Sequence, residues 1–260
     1  PFLPPLEEYT RLLRKIWDNK IFTHNGPFVK KFEKEISKKL KIRNFISTTS
    51  GTTALQIAIK SLGLKGEVIT TPFSWIATIS AIKCERCEPV FCDIEPDTFN
   101  IDPKKIEKCI TDKTVAIVPV HSFGNPCDID AIDLIAKKYN LKIVYDAAHS
   151  IGSTYKNKSI LDYGNISATS LHCTKLINTA EGGGCITTDK GLHEKIKRIR
   201  FFGYDENRDV VEDGLNGKMT EIHAALGLAN LKYYDEVLQD RKNKYEYYKK
   251  KLSISDQLSF

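Results

Sequence analysis

The sequence predicts an α/β fold with a mostly parallel central sheet flanked by helices on both faces. Short apolar, β-rich runs recur at Glu67–Thr70, Pro89–Asp93, Val115–Val120 and Lys142–Asp146. Segments with helical spacing separate them, at Thr53–Leu62, Ile76–Lys83, Pro103–Cys109 and Ile129–Tyr139. That alternation argues for a parallel sheet covered on both sides. The polar residues of interest follow predicted strands, where ligands of such sheets bind.

The other elements follow in order. Leu6–Asp18 alternates apolar and charged residues at helical spacing, and a turn at His24-Asn25-Gly26-Pro27 separates it from an amphipathic helix at Phe28–Leu40. Asn44–Thr48, Ile166–Leu171 and Cys185–Thr188 read as further strands. Beyond Gly191 the pattern turns helical: Leu192–Phe201, then a polar loop over Tyr204–Asp213, then helices at Met219–Leu238 and Arg241–Leu252. We expect a large domain over 1–235 and the start of a smaller, truncated one over 236–260.

Composition is ordinary for a globular chain of 260 residues, 41% hydrophobic and 28% charged. The net charge of +6 is spread along lysine-rich helices, which fits anionic ligands such as phosphates and carries no nucleic-acid signature. No apolar run reaches membrane-spanning length and no signal peptide opens the chain, so a cytoplasmic location without membrane association is expected. Seven scattered cysteines point to reduced thiols. Cys84 and Cys87 have zinc-ligand spacing, but no second pair matches them, and no metal site is expected.

Four features carry chemistry. Lys175 lies between the strand ending near Leu171 and the glycine run Gly182-Gly183-Gly184. It reads either as a solvated loop lysine or as a buried amine, neutral enough to attack an aldehyde. Thr48-Thr49-Ser50-Gly51-Thr52-Thr53 opens a helix, as a plain N-cap or as an anion cup. Trp75 follows the second core strand, as core packing or as a face for a planar ring. Asp146 ends a strand with His149 three residues on, and an unpaired carboxylate there would be costly. An aldehyde for the lysine, a phosphate for the cup, a ring for the indole and a pyridine nitrogen for the carboxylate together describe pyridoxal 5'-phosphate (PLP). A nicotinamide site is disfavoured, because no G-x-G-x-x-G follows the first core strand.

These segments resemble the DegT/StrS-type nucleotide-sugar aminotransferases, which have the fold-type I PLP-dependent aminotransferase fold. The resemblance rests on Phe2-Leu3-Pro4-Pro5, Thr23–Pro27, Thr49–Leu55, Pro119-Val120-His121 with Gly124, Asp146–His149, and Ser170–Lys175 with Glu181-Gly182-Gly183. It ends in Gly214–Ile222. It implies that Lys175 is the Schiff-base lysine and proton shuttle, that Asp146 pairs with the pyridinium nitrogen, and that Trp75 stacks on the ring. Thr52, Thr53 and Ser170 are expected to hold the phosphate, with His149 beside ring and substrate. Asn216 is expected to reach the cofactor of a neighbouring subunit, giving a homodimer with a shared active site. His121, His172 and Glu181 match family positions, with structural support as the expected role.

The implied reaction moves an amino group from an amino-acid donor, L-glutamate, to a nucleotide-linked keto sugar. Lysine at 175, where the family's dehydratases have histidine, favours amino transfer. Histidine at 149 and the Gly214–Met219 segment favour C4 of a 4-keto-6-deoxy sugar such as dTDP-4-keto-6-deoxyglucose, for surface polysaccharide synthesis. The alternatives are a C3 aminotransferase and a PLP-binding protein without turnover. Family members continue past Phe260, hence the expected truncated small domain.

Overall fold

Strands apolar on both faces need cover on both faces, and Ile166–Ser170 is buried at all five positions. The computed structural model describes residues 1–252. Its strands are β1 (Ile46–Thr48), β2 (Glu67–Thr70), β3 (Glu88–Phe91), β4 (Thr114–Ile117), β5 (Lys142–Asp146), β6 (Thr154–Tyr155), β7 (Lys158–Ser159), β8 (Ile166–Ser170) and β9 (Gly183–Ile186). Its helices are α1 (Leu6–Asn19), α2 (Pro27–Leu40), α3 (Gly51–Ser61), α4 (Ile76–Cys84), α5 (Pro103–Ile106), α6 (Ile129–Lys138), α7 (Lys190–Arg200), α8 (Glu221–Leu231) and α9 (Tyr234–Leu252).

Seven strands form one sheet in the order β1-β9-β8-β5-β4-β2-β3. The pairs β2–β3, β2–β4, β4–β5 and β5–β8 are parallel, while β9 is antiparallel to both β8 and β1. Strand β1 therefore runs in the same direction as β8. The carboxyl ends of β1, β2, β5 and β8 all open at one end of the sheet.

Side chains alternate across a strand, and the two faces build separate cores. Val68, Ala116, Val144 and Ala168 pack with Ala54, Ile57 and Ile82 of α3 and α4 and Ile196 of α7. Their neighbours Ile69, Ile117, Ile143 and Tyr145 pack with Ile129 and Ile132 of α6. A third cluster joins Phe32 and Ile36 of α2 to Phe45, Ile186 and Leu228. Glu221, fully buried at the start of α8, accepts the Phe28 and Val29 N–H groups at 2.7 and 3.0 Å. It caps α2, which opens with Pro27 and has no side-chain cap of its own.

Two differences from the expected elements stand out. The helix break near the end falls at Lys232–Tyr233, not between Leu238 and Arg241. Neither glycine nor proline marks that break, and Gln239-Asp240, which looked like a linker, lies within α9. The expected domain boundary at 235/236 therefore falls inside a helix, and residues 253–260 of the second expected domain lie outside the described residues. The small hairpin β6–β7 was not foreseen. Its turn residues Lys156 and Asn157 both have positive φ, 49° and 62°, as a two-residue hairpin loop requires.

Candidate active site

The carboxyl ends of β1, β2, β5 and β8 surround a cavity of about 620 Å³. Thr52, Trp75, Asp146, His149, Ser170 and Lys175 all line it.

Asp146 is the last residue of β5 and is 5% exposed. Its Oδ2 accepts the Thr78 hydroxyl at 2.6 Å and its Oδ1 the Ala148 N–H at 3.1 Å. Burial pushes its pKa up, and the two hydrogen bonds and the charges of His149 and Lys175 oppose that shift. Thr78 is in turn bonded to Ser74, 2.6 Å away. A buried carboxylate with this little compensation has room for one cationic partner.

Lys175 is half-buried, with Nζ 2.8 Å from His149 Nε2. Burial lowers its pKa and the charge of Asp146 opposes. His149 is likewise pushed down, by burial first and then by Lys175. Neutral lysine is therefore populated at lower pH than usual. The loop that carries it is tied to α9, whose Arg241 donates through Nη2 to the carbonyls of Thr174 (3.3 Å) and Lys175 (3.2 Å).

The anion cup forms where α3 begins. Ser50 caps the helix by accepting the Thr53 N–H at 3.1 Å. Among the described residues, the Gly51 and Thr52 N–H groups have no acceptor. They lie at the positive end of an 11-residue helix. A Cβ on Gly51 would lie 2.9 Å from Ser170 Cβ, so glycine there lets the helix end meet β8. A Cβ on Gly183 would lie 2.4 Å from the Ser50 carbonyl oxygen. The glycine run thus seats β9 against the cup.

Trp75, at the N-cap of α4, is 77% exposed. It is an open face in the cavity wall and not core packing. His121 is a buried part of the cavity wall, stacked on Tyr145 at 4.6 Å and 12°. Burial lowers its pKa to about 3, so it is neutral. Its Nδ1 accepts the Cys127 N–H, which leaves the proton on Nε2, buried and without an acceptor among the described residues.

Two expected residues lie elsewhere. Thr53 does not line the cavity, because its N–H and hydroxyl are engaged with Ser50 and Thr49 in the helix cap. Ser50 and Gly51 take its place in the wall. Asn216 also stands apart from this cavity, pairing in a bridge with Phe201 and accepting from Lys218. Thr78 and Arg241 went unassigned in the sequence. Thr78 had a signal, its place one helical turn after Ser74 at the start of α4; Arg241 had none, since its contacts lie 66 and 67 residues away.

A buried acid, a half-buried amine, an open indole and unpaired helix N–H groups fit a flat pyridine aldehyde bearing a phosphate. No group of three or more metal-ligating side chains occurs among the described residues. No helix of the described residues is long and apolar enough to cross a membrane.

The chain is similar to known proteins along most of its length. It is 47% identical over 252 residues to the dTDP-4-amino-4,6-dideoxy-D-glucose transaminase of Shigella dysenteriae, covering 97% of this chain and 69% of that one. Among solved structures it matches DesI in the presence of its TDP-sugar product, with a TM-score of 0.92 and 31% identity over 97% of this chain and 64% of that one. It also matches NtdA from Bacillus subtilis with bound cofactor PMP, with a TM-score of 0.82 and 35% identity over 88% of this chain and 53% of that one. The chain thus spans between about half and two thirds of the length of these relatives. A family model matches residues 6–259, and the chain belongs to the DegT/DnrJ/EryC1/StrS aminotransferase family, whose members depend on PLP.

Proposed function

We propose that the cavity holds PLP and that the chain transfers an amino group from L-glutamate to C4 of a 4-keto-6-deoxy nucleotide sugar, such as dTDP-4-keto-6-deoxyglucose. The observation that carries this reading is the half-buried Lys175 amine sharing one cavity with the buried carboxylate of Asp146. When bound, the cofactor supplies an aldehyde that condenses with amines and a pyridine ring that accepts electrons.

The chain's own groups have separable roles. Lys175 Nζ anchors the cofactor and carries the proton in both half-reactions. His149 Nε2, 2.8 Å away, accepts or returns that proton and keeps the amine aimed. The Asp146 carboxylate would hold a proton on the pyridine nitrogen, with the Thr78 hydroxyl favouring its charged form and keeping it in place. Trp75 covers one ring face. The Gly51 and Thr52 amides, with the Ser170 hydroxyl, would hold the phosphate, while the Ser50 hydroxyl caps the helix behind them. Asn216, outside its own cavity, is the residue we expect to serve the site of a second copy in a homodimer. Residues from Glu236 onward would begin a smaller domain. The seven free cysteines fit a reducing, cytoplasmic setting.

C4 is favoured because the relative at 47% identity is named for a 4-amino sugar. The test is in two steps. The yellow holoenzyme should bleach on addition of glutamate, and the bleached form should regain colour with a 4-keto nucleotide sugar. Colour without bleaching would favour binding without turnover. Recovery only with a 3-keto sugar would move the reading to C3.

A further inference from the structure

Three phenylalanines rim the mouth of the cavity. Phe73 follows β2, Phe99 lies between β3 and α5, and Phe123 follows β4. The Phe73 and Phe99 rings stack at 5.2 Å and 25°. Phe123 meets them edge-on, at 6.0 Å and 68° and at 6.3 Å and 87°. Phe73 and Phe123 line the cavity, and Phe123 is 74% exposed. Such exposed rings are unfavourable unless something covers them.

The backbone beneath the rim is strained. Phe99 and Phe123 have φ of 57° and 56°, a region that bulky side chains avoid and that persists only where the surroundings enforce it. One buried side chain enforces both. Asn100 donates through Nδ2 to the carbonyls of Asn125 and Pro126 at 3.3 and 3.1 Å, and its Oδ1 accepts the Ser122 N–H at 2.9 Å. The Ser122 hydroxyl donates to the Phe99 carbonyl at 2.8 Å. The rim is thus a rigid aromatic platform, fixed before any ligand arrives.

We propose that this platform is a base-stacking subsite: Phe123, backed by Phe73 and Phe99, takes the planar heterocycle of the nucleotide-linked sugar. The inference rests on the nucleotide-sugar reading and deepens it. The reacting sugar carbon must lie against Lys175, inside the cavity, so the far end of the substrate falls at the mouth. A base offers a flat π-face that stacks on aromatic rings. Sugar hydroxyls need polar partners, and the three rings of the rim offer none.

The test is calorimetric titration of the holoenzyme with thymidine diphosphate and, separately, with pyrophosphate. Phe123→Leu keeps apolar bulk and removes the ring. It should bind thymidine diphosphate roughly tenfold more weakly, bind pyrophosphate as before and keep the cofactor absorbance. Phe123→Tyr, which keeps the ring, should bind like wild type. Equal thymidine diphosphate affinity in Phe123→Leu and wild type would overturn the subsite and leave the nucleotide-sugar reading standing. Loss of self-association in the ultracentrifuge with unchanged diphosphate affinity would also overturn it, by assigning the rim to contact between copies. Wild-type holoenzyme that binds no thymidine diphosphate would overturn subsite and reading together.

Discussion

At the residue scale, the site turns on how a buried carboxylate and a half-buried amine set each other. Lys175 is pushed toward its neutral form by burial, and Asp146 resists that push. A lowered lysine pKa means the nucleophilic amine appears at lower pH than on the surface lysines. Labelling of Lys175 by an amine reagent, followed by mass spectrometry against pH, should therefore show a midpoint below theirs. In Asp146→Asn the opposing charge is gone, so the midpoint should move lower still; an upward move would contradict the coupling. Thr78 holds Asp146 charged through the 2.6 Å hydrogen bond. Thr78→Val should raise the Asp146 pKa further and lower kcat without loss of the fold, read by steady-state kinetics beside circular dichroism. An unchanged kcat would remove Thr78 from the machinery.

At the element scale, close backbone approach places the groups. At Gly183, β9 passes so close to Ser50 that an added Cβ would lie 2.4 Å from its carbonyl oxygen. Gly183→Ala should cost about 1–3 kcal/mol, as overpacking does in tight cores, and should weaken phosphate binding more than it weakens the fold. Denaturant melts with and without phosphate separate the two effects. Much of this scale was legible in the sequence. Strands β2 and β5 match their expected bounds, and β8 and α4 lie within one residue of theirs, because apolar runs bounded by turn residues mark them plainly. Residues of the Ser170–Lys175 and Thr49–Leu55 motifs meet in the wall of one cavity. What the sequence hid was commitment and reach. Thr52 and Thr53 look alike as letters, but only one is free of the cap. Phe99 and Phe123 carry no local sign of positive φ, since the cause lies in Asn100 and its partners 22 to 26 residues away. The break between α8 and α9 was misplaced because no glycine or proline marks it.

At the scale of the whole molecule, buried polar side chains lock α2 and α7 to the edge strand β1. Arg200 of α7, 2% exposed, donates to Glu33 of α2 and to the Ser47 carbonyl of β1. Glu33 also accepts the Ser47 N–H at 2.9 Å. Arg200→Ala would leave Glu33 without its cation and the Ser47 carbonyl unpaired. Removing one partner of such a buried pair costs about 3–5 kcal/mol, which guanidinium unfolding should register. A loss well under 1 kcal/mol would mean that the apolar cluster of Phe32, Phe45 and Ile186 holds α2 by itself.

The central claim is that one amine, Lys175, carries the cofactor. Borohydride reduction of the holoenzyme, then proteolysis and peptide mass spectrometry, tests it most directly. The account predicts a single pyridoxyl adduct, on Lys175, that is absent from Lys175→Ala. An adduct on another lysine, or an unchanged visible spectrum in Lys175→Ala, would contradict it.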